Sequence, residues 1–191
     1  MFRTRIGEQT ELALVEHRHA RELFALIEAN RAYLRAWMSW VDQRRTQAEV
    51  SLYIATSLKQ FALGQGIQAG VWEKGMLCGI INCCPIDWPN KASYLEYWLG
   101  ESYQGKGIMT ASCRAVVDYL FGELDLHRLT IRCADENKRS RAVAERLGFA
   151  FEGISRDAEW LNDHFVNHAV YGLLNGDRSK PIGAAASTAQ G

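Results

Sequence analysis

A short segment between an apolar run and a helical pattern, Gln104-Gly105-Lys106-Gly107-Ile108, could bind a phosphate group. A helix start presents unpaired backbone N–H groups and the positive end of its dipole, and glycines before it let a ligand approach the backbone closely. Lys106 adds positive charge beside these N–H groups. The same residues are also typical of a tight turn with a surface lysine, so the segment alone is a weak signal.

The segment matches neither of two common nucleotide-binding motifs. A P-loop needs serine or threonine after its lysine, but Lys106 is followed by Gly107. A Rossmann fingerprint opens an early βαβ unit, whereas this segment follows three predicted antiparallel strands. The glycines at 64, 66 and 70 have the wrong spacing and no following helix.

The elements that must position this segment follow from hydrophobic periodicity. Alternating or apolar runs predict strands at 12–15, 67–72, 76–86, 92–98, 127–134, 151–161 and 164–174, with hairpin turns at 73–75 and 162–163. Helical spacing predicts one or two helices over 18–40 and further helices at 46–63, 108–121 and 137–147. This order predicts a mixed α/β (α+β) fold in a single domain, residues 1–177, and the small, polar residues 178–191 are predicted to be a flexible tail.

The composition is that of an ordinary globular protein, with 48% hydrophobic and 23% charged residues among 191. The 22 basic residues balance 22 acidic ones, so the formal net charge is zero, which disfavours broad nucleic-acid binding. The N-terminal residues lack the apolar core of a signal peptide, and no apolar stretch reaches the roughly 18 residues of a membrane span. We therefore expect a cytoplasmic protein without nucleic-acid or membrane contacts.

The cysteines and histidines do not predict a metal site. The five cysteines include no Cys-x-x-Cys pair, and Cys133 has no histidine neighbour, so we interpret it as a buried strand cysteine and not a nucleophile. His164 and His168 are four residues apart in a predicted strand, where they would not converge on one ion. We expect all five histidines to lie at the surface.

Two segments together identify a family. Residues 104–109 match most of the acyl-CoA-binding pattern Q/R-x-x-G-x-G/A, and Asn137 then begins the segment NKRSRAVAERLGF. From Glu11 to Leu174 the chain resembles the GNAT superfamily of N-acetyltransferases. The segments YWLGESYQGKGIMT, DENKRSRAVAERLGF and AEWLN resemble the bacterial branch that acetylates the N-termini of ribosomal proteins.

The resemblance implies a helix-flanked, mostly antiparallel sheet in which strands LEYWL and LTIRC run parallel and splay apart. The pantetheine arm of acetyl-CoA would lie in this splay, so the implied acetyl-CoA site consists of Tyr97, Trp98, Leu99, Gln104, Gly105, Lys106, Gly107, Ile108, Met109 and Asn137. Core packing of Trp98 and N-capping by Asn137 are the alternatives. Met109 departs from the pattern, which has glycine or alanine at that position.

Acetyl transfer to an amine needs a proton acceptor for the amine, stabilisation of the oxyanion and a proton for the departing thiolate. The resemblance maps a catalytic glutamate onto Glu159, with an exposed strand glutamate as the alternative. Glu96, where relatives have glycine, is the second candidate, and water alone is the third. Many relatives carry an acidic tyrosine where this chain has Ala144, so Ser140 is the candidate donor to the CoA sulfur, or else a helix cap.

The resemblance places the early helices along the acceptor cleft. Tyr33, Trp37 and Trp40 recur there at helical spacing among several arginines, which would suit a peptide N-terminus followed by acidic residues, although such a stripe is also typical of a core. We predict acetyl transfer from acetyl-CoA to the N-terminal amine of a ribosomal or similar protein. The alternatives are a small-molecule amine acetyltransferase, acting on a polyamine or antibiotic, and a non-catalytic acyl-CoA sensor. The sequence is compatible with a homodimer.

Overall fold

Eight strands form one sheet in the order β1-β2-β3-β4-β5-β6-β8-β7 in the computed structural model, which describes residues 3–179. They are β1 (Arg3–Arg5), β2 (Thr10–Leu14), β3 (Ile67–Glu73), β4 (Met76–Asp87), β5 (Ala92–Leu99), β6 (Arg128–Ala134), β7 (Ala150–Leu161) and β8 (His164–Leu174). The helices are α1 (Ala20–Ala29), α2 (Arg31–Arg35), α3 (Gln47–Ala62), α4 (Ile108–Gly122) and α5 (Lys138–Arg146), and a 3-10 segment follows α2 at Ser39–Gln43. The predicted mixed α/β fold is confirmed.

Turn residues set the registers of the two hairpins that the sequence predicts. Lys74 and Gly75 both have positive φ, 54° and 78°, which is the geometry that matches the twist of a two-residue hairpin. Asn162, with φ 59°, turns the chain between β7 and β8. Both hairpins are antiparallel, as are all neighbouring strand pairs except β5 and β6.

Helices cover the two faces of the sheet in separate groups. On one face, which we call the α1–α3 face, Leu23 and Ile54 pack with Trp98 of β5 in one buried cluster. On the other, the α4–α5 face, Leu120 packs with Leu95 of β5 in a second cluster. Because side chains alternate along a strand, β5 contributes to both clusters and carries site residues to both faces.

The parallel pair β5–β6 separates after three residue pairs. Ala92–Tyr94 pair with Arg128–Thr130, and the pairing ends there. Residues 95–99 continue on β4, while residues 131–134 continue on β8. The predicted splay is therefore present, and it opens a gap through the sheet between two strands that each keep an outer partner.

The structure differs from the sequence prediction near both ends of the chain. Strand β1 was not predicted, and it pairs with the outer side of β2. The predicted helical region 18–40 is two helices followed by the 3-10 segment, because the chain leaves helical geometry at Asn30 (φ −118°) and again at Met38 (φ −136°). Arg178 and Ser179 end a 3-10 turn, and the rest of the predicted flexible tail lies outside the described residues. Between residues 3 and 179 no helix is long and apolar enough to cross a membrane.

Candidate active site

A cavity of about 1520 Å³ passes through the splay and reaches both faces of the sheet. It brings together residues from α2, β5, the start of α4, β6, the start of α5, β7 and β8. The sequence-predicted residues that line it are Tyr33, Trp37, Trp40, Glu96, Tyr97, Trp98, Leu99, Gln104, Gly105, Gly107, Ile108, Met109, Asn137, Ser140 and Glu159. Lys106 does not line the cavity. Its Nζ donates to the Ser102 carbonyl at 2.9 Å.

The predicted phosphate loop has the geometry of an anion site. Gly105 and Gly107 have φ values of 74° and 77°, and a Cβ at either position would meet no atom within 4 Å. The glycines are therefore needed for backbone conformation and not for space. Gly107 is the N-cap of the 15-residue helix α4 and supplies no side-chain cap, which leaves first-turn N–H groups for a ligand.

Arginines that the sequence analysis missed surround this loop. Gln104 braces it, because its Nε2 donates to the Leu99 carbonyl at 3.2 Å and its Oε1 accepts from Arg139 at 2.7 Å. Arg114 and Arg146 also line the cavity at this end. Their spacing on α4 and α5 is that of ordinary exposed helix residues, so no sequence signal singled them out.

On the α4–α5 face, Ser140 and Tyr97 form a hydrogen-bonded pair across the gap. Ser140 Oγ donates to the Tyr97 phenol oxygen at 3.2 Å, and the phenol donates to the Ser140 carbonyl at 2.9 Å. The cap of α5 is Asn137, whose Oδ1 accepts from the Ser140 N–H at 3.1 Å, so Ser140 is not the cap. Burial raises the pKa of Tyr97 well above its usual range, so the phenol stays protonated. The sequence analysis assigned Tyr97 to the acetyl-CoA site and did not predict this hydrogen bond with Ser140.

The position that holds a tyrosine in many relatives does not face the cavity here. Ala144 is fully buried in the cluster on the α4–α5 face and does not line the cavity. A tyrosine at this position would overpack the core, which typically costs about 1–3 kcal/mol or more. Two of the hydroxyl-bearing side chains that line the cavity, Tyr97 and Ser140, are hydrogen-bonded to each other.

Cys133 lies on the same face and lines the cavity half-buried, whereas the sequence analysis expected a buried strand cysteine. Burial raises the pKa of its thiol, which keeps it protonated and a weak nucleophile. Residues 3–179 contain no group of three or more His, Cys, Asp and Glu side chains placed to hold a metal ion.

On the α1–α3 face, Glu159 accepts two hydrogen bonds. Its Oε2 lies 3.0 Å from Nε2 of His168, and its Oε1 accepts from the Ser39 hydroxyl at 2.5 Å. These bonds, the one from His168 first, lower the pKa of the Glu159 carboxyl although partial burial acts in the opposite direction. Glu159 is therefore ionised at neutral pH. Glu96 also lines the cavity on this face, but its side chain is exposed and accepts only a 3.4 Å hydrogen bond from Asn82.

Two of the five histidines, all of which the sequence analysis expected at the surface, are partly buried. His168 sits on β8 between β6 and β7, and its side chain is 17% exposed and lines the cavity. His19 packs edge-on against Trp72, with ring centroids 5.0 Å apart. Strand order decides the burial of His168, and the local sequence does not reveal it.

Tyr33, Trp37 and Trp40, the predicted acceptor wall, line the cavity, but the arginines near them point elsewhere. Trp40 packs 5.9 Å from Trp98, and Arg44 stacks between Trp40 and Tyr53 at 4.3 and 4.0 Å. The other three bind acidic side chains or backbone carbonyls, and none of the four lines the cavity: Arg31, Arg35, Arg44 and Arg45. The predicted acid-binding face of the early helices is therefore wrong.

Comparison with known proteins gives consistent matches over most of the chain. The acetyltransferase (GNAT) domain family matches residues 10–150. YdaF of Bacillus subtilis (strain 168), whose name assigns it provisionally to ribosomal N-acetylation, is 35% identical over 91% of this chain and 96% of its own. The ribosomal-protein-serine acetyltransferase of Escherichia coli (strain K12) is 28% identical over 89% and 95% of the two chains.

Solved structures match this chain over a similar share of its length. RimL, described as a ribosomal alpha-N-protein acetyltransferase in complex with coenzyme A, has a TM-score of 0.87 at 28% identity, covering 89% of this chain and 96% of its own. The microcin C7 self-immunity acetyltransferase MccE, in complex with acetyl-CoA and AMP, has a TM-score of 0.84 at 28% identity, covering 88% and 94%.

Proposed function

This chain belongs to the GNAT acetyltransferase family, and we propose that it transfers the acetyl group of acetyl-CoA to the N-terminal amine of a ribosomal or similar protein. The observation that carries the proposal is the cavity through the splayed sheet. The N-terminus of α4 and several arginines line one end of this cavity, and the Glu159 carboxylate, on the opposite face of the sheet, lines the other end.

Acetyl-CoA would enter from the α4–α5 face. Its phosphates fit the loop at Gly105–Gly107, where first-turn N–H groups and Arg114 and Arg139 supply positive potential. The pantetheine arm fits the gap beside residues 97–99, where backbone groups of β5 no longer pair with β6. Asn137 is already engaged as a cap, so we assign it the positioning of α5 in addition to contact with this arm.

The acceptor amine would reach the thioester from the α1–α3 face. It loses a proton to Glu159, directly or through water, and its lone pair forms the new N–C bond to the thioester carbonyl. A backbone N–H of β5 stabilises the oxyanion. As the oxyanion collapses, the C–S bond breaks and the nitrogen gives its second proton to water. The Ser140 hydroxyl, which donates to the Tyr97 phenol in the free protein, turns to the thiolate and relays a proton to it from water. Transfer is direct, within one ternary complex.

An N-terminal amine fits the acceptor side better than a compact polyamine. The wall formed by Tyr33, Trp37, Met38 and Trp40 is aromatic and apolar. Glu96, Glu101 and Glu159 also line the cavity, so the choice rests on the aromatic wall, which suits a peptide. The named activities of the two curated relatives agree with this choice. A ribosomal acceptor implies a cytoplasmic location. The homodimer stays a prediction, which light scattering of the purified chain tests.

A panel of acceptors tests the proposal. The purified chain is given acetyl-CoA with a peptide that has a free N-terminal serine or alanine, the same peptide with a blocked N-terminus and an internal lysine, spermidine, and an aminoglycoside. Thiol release gives the rate, and mass spectrometry gives the acetylated atom. We expect the highest kcat/KM for the free N-terminus and no transfer to the blocked peptide. Preference for spermidine or the aminoglycoside would establish the small-molecule alternative, and CoA binding without turnover would establish a sensor.

A further inference from the structure

The structure assigns roles to two side chains that the reaction above does not use, His168 and Ser39. We propose that His168 is a positioning residue that fixes the Glu159 carboxylate, and that the Ser39 hydroxyl occupies the place that the acceptor amine takes. This inference rests on the proposed function, because it presumes that Glu159 receives the proton of the amine. It assigns Oε2 of the Glu159 carboxylate to His168, and Oε1 to Ser39 in the free protein and to the amine during the reaction.

Glu159 needs an anchor because its own strand is irregular. The β7–β8 register shifts between Ser155 and Glu159, and Asp157 within this bulge has φ 46°. Strand β7 is also an edge strand of the sheet, with β8 as its one neighbour. A bulge re-aims the side chains that follow it, and an edge strand holds them loosely. Glu159 is paired with Val166 of β8 on one side only, directly after this bulge, so its side chain is less constrained than one on an inner strand.

His168 has partner strands on both sides, whereas Glu159 has one on a single side. It pairs with Ala134 of β6 on one side and with Ser155 of β7 on the other. Its ring reaches Oε2 of Glu159 at 3.0 Å, and its side chain is 17% exposed. An ionised carboxylate offers only acceptors, so Nε2 of His168 must carry the proton of this hydrogen bond. The carboxylate is thereby held by a donor from an inner strand.

Ser39 holds the other oxygen from a much less constrained position. It opens the short 3-10 segment after α2, its side chain is exposed, and its hydroxyl donates to Oε1 at 2.5 Å across 120 residues of sequence. The N–H of an acceptor amine is also a donor, so it competes with Ser39 for Oε1 while His168 keeps Oε2. Ser39 does not itself line the cavity that the acceptor would enter, but its neighbours Met38 and Trp40 and its partner Glu159 do.

Among the described residues, the other charged groups near the Glu159 carboxylate form their contacts elsewhere. Glu96 on β5 and Arg132 on β6 line the same side of the cavity, and Arg132 stacks on the Tyr94 ring at 4.7 Å. On the 3-10 segment, Asp42 is paired with Arg35. Among the described residues, the hydrogen bonds of the Glu159 side chain are those with His168 and Ser39.

The two roles predict opposite kinetic effects. Loss of His168 frees the carboxylate to turn away, which lowers kcat and leaves the KM for the acceptor nearly unchanged. Loss of Ser39 removes a competitor for Oε1, which lowers the KM for the acceptor and leaves kcat nearly unchanged. A purely structural role for either side chain would change stability without producing this split.

The test compares His168→Ala, His168→Gln and Ser39→Ala in the full chain, with His164→Ala as the control. His164 lies on the same strand, but its side chain is exposed. Among the described residues, its ring forms a polar contact with the neighbouring Asp163. At saturating acetyl-CoA we expect His168→Ala to lower kcat by about 10- to 100-fold, the usual cost of misplacing a reacting group. His168→Gln should recover most of the rate, because its amide can donate to the same oxygen. Ser39→Ala should lower the acceptor KM severalfold, and the control should be unchanged.

A second readout follows the carboxylate itself. In carbon-13 NMR of glutamate-labelled protein, His168→Ala should raise the pKa of Glu159, because the largest cause of its lowering is gone while burial still raises it. This titration needs no acceptor, so it tests the pair even if no substrate in the panel is acetylated and the proposed function fails. An unshifted Glu159 titration, an undiminished kcat in His168→Ala, or a His168→Gln variant as slow as His168→Ala would overturn the inference. An acceptor KM that rises in Ser39→Ala would overturn the role of Ser39.

Discussion

Two sets of side chains would meet at the scissile thioester, and each comes from a different face of the sheet. Glu159, on the α1–α3 face, is kept ionised by hydrogen bonds from His168 and Ser39. Ser140 and Tyr97, on the α4–α5 face, stay protonated and can donate. A proton acceptor for the amine and a donor for the thiolate are thus separated by the gap in which the thioester would lie.

Replacing Glu159 with glutamine tests the proton acceptor. Glu159→Gln keeps the size of the side chain but removes its basicity, so we expect kcat to fall by roughly 100- to 10,000-fold with unchanged acetyl-CoA affinity. Glu96→Gln is the matched control, because Glu96 lines the same cavity but is exposed and only weakly bonded. Steady-state kinetics across pH measures both. If Glu96→Gln is the slower variant, the two assignments must be exchanged.

Replacing Ser140 tests the donor. Ser140→Ala removes a part-buried hydroxyl, and we expect the barrier to rise by about 1–3 kcal/mol while coenzyme A still binds. Ser155→Ala serves as the control, since Ser155 also lines the cavity but on the strand that carries Glu159. Single-turnover rates separate chemistry from product release. An undiminished chemical rate in Ser140→Ala would leave the hydroxyl with no part in expelling the thiolate.

At the scale of elements, the site depends on where regular structure stops. The β5–β6 ladder ends after Tyr94 and Thr130, helix α4 begins at a glycine with positive φ, and β7 bulges before Glu159. The first two features leave backbone groups available to a ligand, and the third re-aims a side chain. The surrounding helices and strands hold these three irregular segments in fixed positions around the cavity.

The phosphate loop can be tested with a pair of matched glycines. Gly107 and Gly75 have φ values of 77° and 78°, and both have open space at the Cβ position. Aspartate at either site should cost similar backbone strain, about 1–2 kcal/mol. Only Gly107→Asp places negative charge at the α4 N-terminus, so only this variant should lose at least tenfold in coenzyme A affinity, about 1.4 kcal/mol. Equal affinities of the two variants in calorimetry would show that the loop does not hold the phosphates.

Helix α3, which packs behind the acceptor wall, depends on its N-cap. Thr46 accepts from the Glu49 N–H at 3.3 Å, and Glu49 accepts from the Thr46 N–H at 2.8 Å. Thr46→Ala breaks this capping box and should lower the free energy of unfolding by about 0.5–2 kcal/mol in chemical denaturation. Thr56→Ala, in the middle of the same helix, should cost much less. A larger loss for Thr56→Ala would mean that capping does not limit the stability of α3.

Across the whole molecule, the sequence predicted what depends on local pattern. The hairpin at Lys74–Gly75, the glycine loop and the Asn137 cap follow from residues that are neighbours in the chain. The contacts of His168 and Ser39 with Glu159 depend on strand order and on a bulge, which no local pattern encodes. The arginines near Trp40 were misjudged for the same reason, because their partners are set by how α2 and the 3-10 segment fold back.

The most direct test of the central claim is a map of the atoms that the protein acetylates. The purified chain and its Glu159→Gln variant are incubated with acetyl-labelled acetyl-CoA and ribosomes, and mass spectrometry then locates the label. We predict label on the α-amine of one or a few ribosomal protein N-termini with the unaltered chain, and its near absence with the variant. Label confined to lysine side chains, or no label on any protein while small amines are acetylated, would contradict the account.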